Sequence, residues 1–186
     1  LVEEDAEVKL NQNESPWDVP AEVKDEVARR LRDLPWNRYH QKIPRDFLAS
    51  VAAGEGVPPG CVIAASGSNL LLQWVFEAYI APGTTLLCPS PSFSLYPLWG
   101  EVCEARIETV PLGDSFEYDA EAFSWAVRRL APAVTVLCLP NNPTGTEMGV
   151  ECVRRVAQAV AETGGLFVID EAYKEFTEPE YDRSRL

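Results

Sequence analysis

Four short strings combine residue types and spacings that chemistry could use. Phe167-Val168-Ile169-Asp170-Glu171-Ala172-Tyr173 is an apolar run that ends in a carboxylate. Withdrawing an aspartate from water is costly unless it finds a partner. Asp170 therefore implies a cationic counterpart, or, more plainly, a cap on the next segment. Leu139-Pro140-Asn141-Asn142-Pro143-Thr144-Gly145 sets two amides on a proline-stiffened turn, where they could aim along a sheet edge; Asn-Pro and Thr-Gly are also ordinary turn pairs. Gly67-Ser68-Asn69 follows an apolar run and opens a helical stretch. Small residues allow a ligand close to the backbone and a helix start favours an anion, although Ser and Asn also serve as plain N-caps. Pro91-Ser92-Phe93-Ser94-Leu95-Tyr96 places two aromatics on consecutive turns of an expected helix start, suited to stacking on a flat ring or to core packing.

These strings need elements to hold them. Residues 1–20 read as an irregular arm punctuated by Asn11, Asn13, Pro16 and Pro20. Val23, Val27 and Leu31 recur at helical spacing until Pro35, and a second helix is expected over 44–53. An alternation follows: strands over 61–65, 84–88, 105–110, 134–139 and 166–169, with helices over 69–80, 92–100, 120–130 and 147–163. Continuously apolar strands alternating with helices predict an α/β fold with a mostly parallel sheet covered by helices on both faces. Ligands of such sheets bind at the C-terminal ends of the strands, where the four strings fall. The division expected is an arm with its first helix over 1–35 and a sheet-bearing domain over 36–186.

Composition narrows the function. Hydrophobic residues make up 46% of the 186 and charged residues 24%, as in a globular protein. Asp and Glu number 29 against 16 Lys and Arg, which argues against a nucleic-acid or anionic-membrane partner, since both need a basic face. Five cysteines, no CxxC pair and a single histidine, His40, offer no metal site. Reduced, buried thiols and a cytoplasmic location are expected. No apolar run is long enough to span a bilayer, and the acidic start Glu3-Glu4-Asp5 is unlike a signal peptide.

Taken in order, the strings resemble the large domain of fold-type-I pyridoxal-phosphate (PLP) aminotransferases. The arm Lys9-Leu10-Asn11-Gln12-Asn13-Glu14-Ser15-Pro16, the segment Asn37-Arg38-Tyr39 and the closing Asp170-Glu171-Ala172-Tyr173-Lys174-Glu175-Phe176 narrow the resemblance to histidinol-phosphate aminotransferases and their nearest relatives. The resemblance covers nearly the whole chain as an N-terminal portion, an incomplete large domain. It implies PLP as cofactor, Asp170 paired with its pyridinium nitrogen, and Asn142 and Tyr173 bonded to its 3-oxygen. It further implies Phe93 stacked on the ring, Tyr96 supporting Asp170, and Ser68 and Asn69 on the phosphate. Tyr39 would reach the cofactor phosphate of a neighbouring subunit in a homodimer, and Asn13 would lie near substrate. The implied reaction takes an amino group from a small-molecule donor, glutamate, to a phosphorylated keto acceptor in histidine biosynthesis.

The chain departs from the family pattern in three places. Tyr39 is followed by His40-Gln41 rather than Pro-Asp, and Ser68 by Asn69-Leu70-Leu71 rather than acidic residues. The family's covalent lysine, expected some tens of residues after Tyr173 in a Ser-Lys segment, is not among Lys9, Lys24, Lys42 and Lys174. The expectation is that these residues alone do not transaminate. The alternatives are another class I/II aminotransferase, a threonine-phosphate decarboxylase-like enzyme, or a non-catalytic remnant of the same fold.

Overall fold

The computed structural model describes residues 8–9, 11–39 and 44–178. The acidic start, Leu10 and the His40-Gln41 pair lie outside the described residues. The chain separates into two compact units, Leu1–Pro44 and Arg45–Leu186.

In the first unit, residues 11–20 form no helix or strand, and Asn13 adopts a left-handed φ of 54°. Helix α1 (Ala21–Asp33) starts where the Pro20 carbonyl accepts from Val23 and Lys24 N–H. It ends at Leu34, which is extended because the following Pro35 disfavours helical backbone there. Glu26 accepts from Arg29 and Arg30, one turn on; those bonds, Arg29's first, pull its carboxyl down to about 2.

The second unit contains α2 (Arg45–Glu55), α3 (Ser68–Tyr79), β1 (Thr85–Ser90), α4 (Leu95–Val102), β2 (Arg106–Pro111), α5 (Ala120–Leu130), β3 (Val134–Cys138), α6 (Val150–Thr163) and β4 (Leu166–Asp170). The strands form one parallel sheet in the order β2-β1-β3-β4. Side chains alternate across it with period two. Leu86, Cys88, Val134, Val136 and Cys138 face a core completed by Leu72 and Phe76 of α3, Ile80 just after it, and Tyr96 of α4. Leu87 and Leu137 face the other way, against Phe123 and Val127 of α5 and Val153, Val156 and Val160 of α6. The expected helix-covered parallel sheet is therefore what the chain forms.

Local chemistry fixes the joints between elements. Asp119 caps α5, its carboxylate accepting from Glu121 and Ala122 N–H. Gly164 closes α6 at φ 75°, the left-handed conformation glycine adopts without strain. A Cβ on Gly165 would stand 2.4 Å from the Pro132 carbonyl oxygen, so only glycine lets the chain enter β4 there.

Three expectations change. Residues 61–65 form no strand: Pro59–Cys61 is a 3-10 turn and the rest is unpaired. Extended backbone becomes a strand only beside another, and no described strand neighbours it; Ile63 and Cys61 are exposed instead. Two helices begin about three residues later than their patterns suggest, at Leu95 and Val150, since Ser92-Phe93-Ser94 and Glu147-Met148-Gly149 serve as lead-in loops. The thiols are free, but only Cys88 and Cys138 are buried.

Candidate functional site

With all strands parallel, their C-terminal ends share one edge. From β1 the chain passes to β2 on one side, then returns to β3 on the other. The crevice between the ends of β1 and β3 is thus the topological switch point, the usual ligand position in such sheets. Residues from β1, β3 and β4 converge there.

Asp170 ends β4 and is buried, 9% exposed. Its Oδ2 accepts from the Tyr96 hydroxyl at 2.8 Å and its Oδ1 from Ala172 N–H at 3.1 Å. Among the described residues no cation lies within salt-bridge reach of it. A buried carboxylate so arranged is suited to a cationic ligand group, because its two hydrogen bonds satisfy only part of its acceptor capacity. Tyr96 is fully buried on α4. Burial first, then the negative charge of Asp170, pushes its phenol well above the ordinary range, so it stays a donor. Phe93 precedes α4 rather than lying in it, and meets Tyr96 edge to face with centroids 5.6 Å apart. The Cys138 thiol lies beside the same hydroxyl and is raised mainly by burial.

The turn after β3 is held from several sides. Leu139 N–H donates to the Asp170 carbonyl at 2.9 Å, fastening β3 to β4 beyond their ladder. Asn141 is 2% exposed. Its Oδ1 accepts from Ser92 Oγ at 2.7 Å, and its Nδ2 donates to the Pro91 carbonyl at 3.1 Å and to Thr144 Oγ1 at 2.7 Å. Asn142, its neighbour, is half-buried. Tyr118, ahead of α5, donates to the Cys138 carbonyl at 2.6 Å.

The start of α3 behaves differently from a plain cap. Gly67, not Ser68, is the N-cap, at φ 90° and with no side-chain capping bond. Ser68 and Asn69 belong to the first turn and are exposed. The first N–H groups of a twelve-residue helix thus face outward without a side-chain acceptor, the arrangement that binds phosphate.

The structure therefore gathers Asp170, Tyr96, Phe93 and the Asn141–Asn142 turn. Tyr173 follows, half-buried, at the head of the Lys174–Phe176 turn. No hydrogen bond among the described residues ties Ser68 or Asn69 to that group. Asn13 and Tyr39 belong to the first unit, where both are exposed. Lys174 pairs with Glu55; that bond raises its pKa and keeps it charged, the reverse of what an amine nucleophile needs. Sequence reasoning gave no separate roles to Ser92, Asn141 and Tyr118. Linear spacing does not reveal which of two adjacent asparagines turns inward.

Known proteins resemble this chain in sequence and fold. The family model described as aminotransferase class I and II matches residues 6–185. A histidinol-phosphate aminotransferase of Chlorobium chlorochromatii is 42% identical over 172 residues, 92% of this chain and 47% of the relative. One from Methylibium petroleiphilum is 40% identical over 95% of this chain and 48% of the relative. The chain spans about half the length of the curated relatives it matches. Among solved structures, histidinol-phosphate aminotransferase from Sinorhizobium meliloti in complex with pyridoxal-5'-phosphate superposes with a TM-score of 0.82 at 26% identity, covering 91% of this chain and 45% of that one. A Thermus thermophilus aspartate aminotransferase variant gives 0.79 at 26%, covering 94% of this chain and 48% of the other. With the family match over nearly its whole length, relatives about 40% identical and the same sheet fold, the chain belongs to the aminotransferase class I and II family.

Proposed function

We propose that this chain forms the cofactor bed of a PLP-dependent aminotransferase acting on histidinol phosphate and 2-oxoglutarate in histidine biosynthesis. The observation that carries the reading is Asp170, a buried strand-end carboxylate bonded to Tyr96 Oη and Ala172 N–H and suited to one more cationic partner. When bound, PLP supplies an electron sink for cleaving a bond at the substrate's amino-bearing carbon.

The residues then divide the work. Asp170 holds the pyridine nitrogen protonated, and Tyr96 keeps that carboxylate oriented. Asn142 and Tyr173 hydrogen-bond the 3-oxygen. Phe93 stacks on the ring, and Gly67-Ser68-Asn69 offers backbone and side-chain donors to the phosphate. Tyr39 reaches the phosphate in a partner subunit, making the working unit a homodimer, and Asn13 borders the substrate. The covalent lysine that the resemblance implies is not one of these residues, whose proposed part is to bind and orient the cofactor.

The test is amino transfer by the protein carrying its full natural chain. Glutamate as donor and imidazole-acetol phosphate as acceptor should give histidinol phosphate at a higher kcat/KM than any other keto acceptor gives its product. Turnover of oxaloacetate with none of the phosphorylated acceptor would move the chain to the aspartate-type enzymes. Absence of amino transfer altogether would leave a non-catalytic member of the family.

A further inference from the structure

We propose that Asn141, braced by Ser92, is a positioning residue that sets how Asn142 addresses the cofactor's 3-oxygen; the inference rests on the cofactor assignment above. Asn141 is 2% exposed, and its side-chain amide is committed on both sides. The nitrogen spends its two protons on the Pro91 carbonyl and Thr144 Oγ1, and the oxygen takes the Ser92 hydroxyl. Its backbone is committed as well: Asn141 N–H donates to the Thr146 carbonyl at 2.8 Å, and Gly145 N–H donates to the Asn141 carbonyl at 2.7 Å. Thr144 and Thr146 hydroxyls lie 2.7 Å apart and extend the network along the turn.

This amide thus ties the loop leaving β1 to the turn leaving β3 across the switch point. The loop leaving β1 carries Phe93 and the turn carries Asn142. A ring stacked by one and hydrogen-bonded by the other is registered by whatever fixes their separation, and Asn141 spans that gap directly. A looser bracket would let Asn142 drift from its acceptor, and a shift of an ångström is enough to weaken a catalytic contact.

The experiment uses the PLP-loaded protein with its full natural chain and reads the pH midpoint of the bound cofactor's visible absorbance band. Donation to the 3-oxygen favours its ionised form, so losing it moves the midpoint. Asn142→Ala defines the full displacement. Ser92→Ala removes one neutral hydrogen bond and leaves the fold, checked by far-UV circular dichroism; it should move the midpoint in the same direction by about half a unit, a fraction of one such bond's worth. Asn141→Ala should move it further, toward the Asn142→Ala value. A midpoint that shifts in Asn142→Ala and stays at the wild-type value in Ser92→Ala overturns the inference alone, even if Asn141→Ala does not fold. A wild-type protein that develops no visible band with PLP overturns the cofactor assignment and the inference with it.

Discussion

The hydroxyl of Tyr96 and the carboxylate of Asp170, 74 residues apart in the chain, meet at 2.8 Å at the buried end of the sheet. This contact joins α4 to the end of β4. Replacing Tyr96 by Phe keeps the packing and removes the donor, leaving a buried carboxylate short of one partner. The expected cost is about 1–3 kcal/mol, read as a lower urea midpoint with an unchanged m-value. An unaltered midpoint would mean that the hydroxyl contributes nothing to holding Asp170.

Gly165 and Gly54 should respond to alanine in opposite directions. The Cβ at Gly165 meets the Pro132 backbone oxygen at 2.4 Å, and backbone has no rotamer with which to yield. Gly165→Ala should destabilise the fold by about 1–3 kcal/mol through overpacking at the entrance to β4. Gly54 lies within α2 with nothing within 4 Å of a new Cβ, so Gly54→Ala should stabilise by about 0.5–1 kcal/mol. Thermal unfolding of the two variants side by side checks both signs.

Alkaline pH should weaken the fold through groups that stay protonated only when folded. Burial lifts the Cys88 thiol from 9.0 to about 11, and burial with the charge of Asp170 raises the Tyr96 phenol. The unfolded chain releases these protons sooner, so the folded state binds more of them, and stability falls as pH rises. The contribution of Cys88 is complete below about pH 9 and fades toward about 11. Urea midpoints from pH 8 to 11 should decline, and less steeply in Cys88→Ala. The same burial predicts that an aromatic disulfide reagent modifies exposed Cys61 first and reaches Cys88 and Cys138 only on unfolding.

Much of this was legible in the chain because the signals were local. The apolar runs 134–139 and 166–169, set between helical periods, mark the strands β3 and β4 to within a residue, and Asp170 stands out as the carboxylate that follows the second run. The inward turn of Asn141 was not legible, because it depends on Ser92, 49 residues away, and not on its neighbours. Gly67 as N-cap was hidden for a related reason: Ser68 and Asn69 carry side chains that can cap, and the cap is set by the backbone at Gly67, at φ 90°. Residues 61–65 misled in the opposite sense. Their apolar pattern is that of a strand, but strand formation depends on a neighbour that a one-dimensional pattern does not contain.

Asp119 offers a check on the fold that leaves the chemistry alone. Its carboxylate holds two N–H groups at the start of α5 and makes no hydrogen bond to the Asp170 group among the described residues. Asp119→Ala should cost about 1 kcal/mol of stability while leaving the affinity for PLP unchanged. A loss of cofactor affinity equal to that of a strand-end variant would tie α5 to the site.

The most direct test concerns Asp170 itself. PLP is titrated into the protein carrying its full natural chain, and into its Asp170→Asn variant, with the visible band and far-UV circular dichroism recorded on the same samples. The expected result is a saturable band in the wild type, with weaker binding and severely lowered amino transfer in the variant at an unchanged fold. A variant that binds PLP and turns over like the wild type would contradict the assignment of Asp170 as the residue that holds the ring nitrogen.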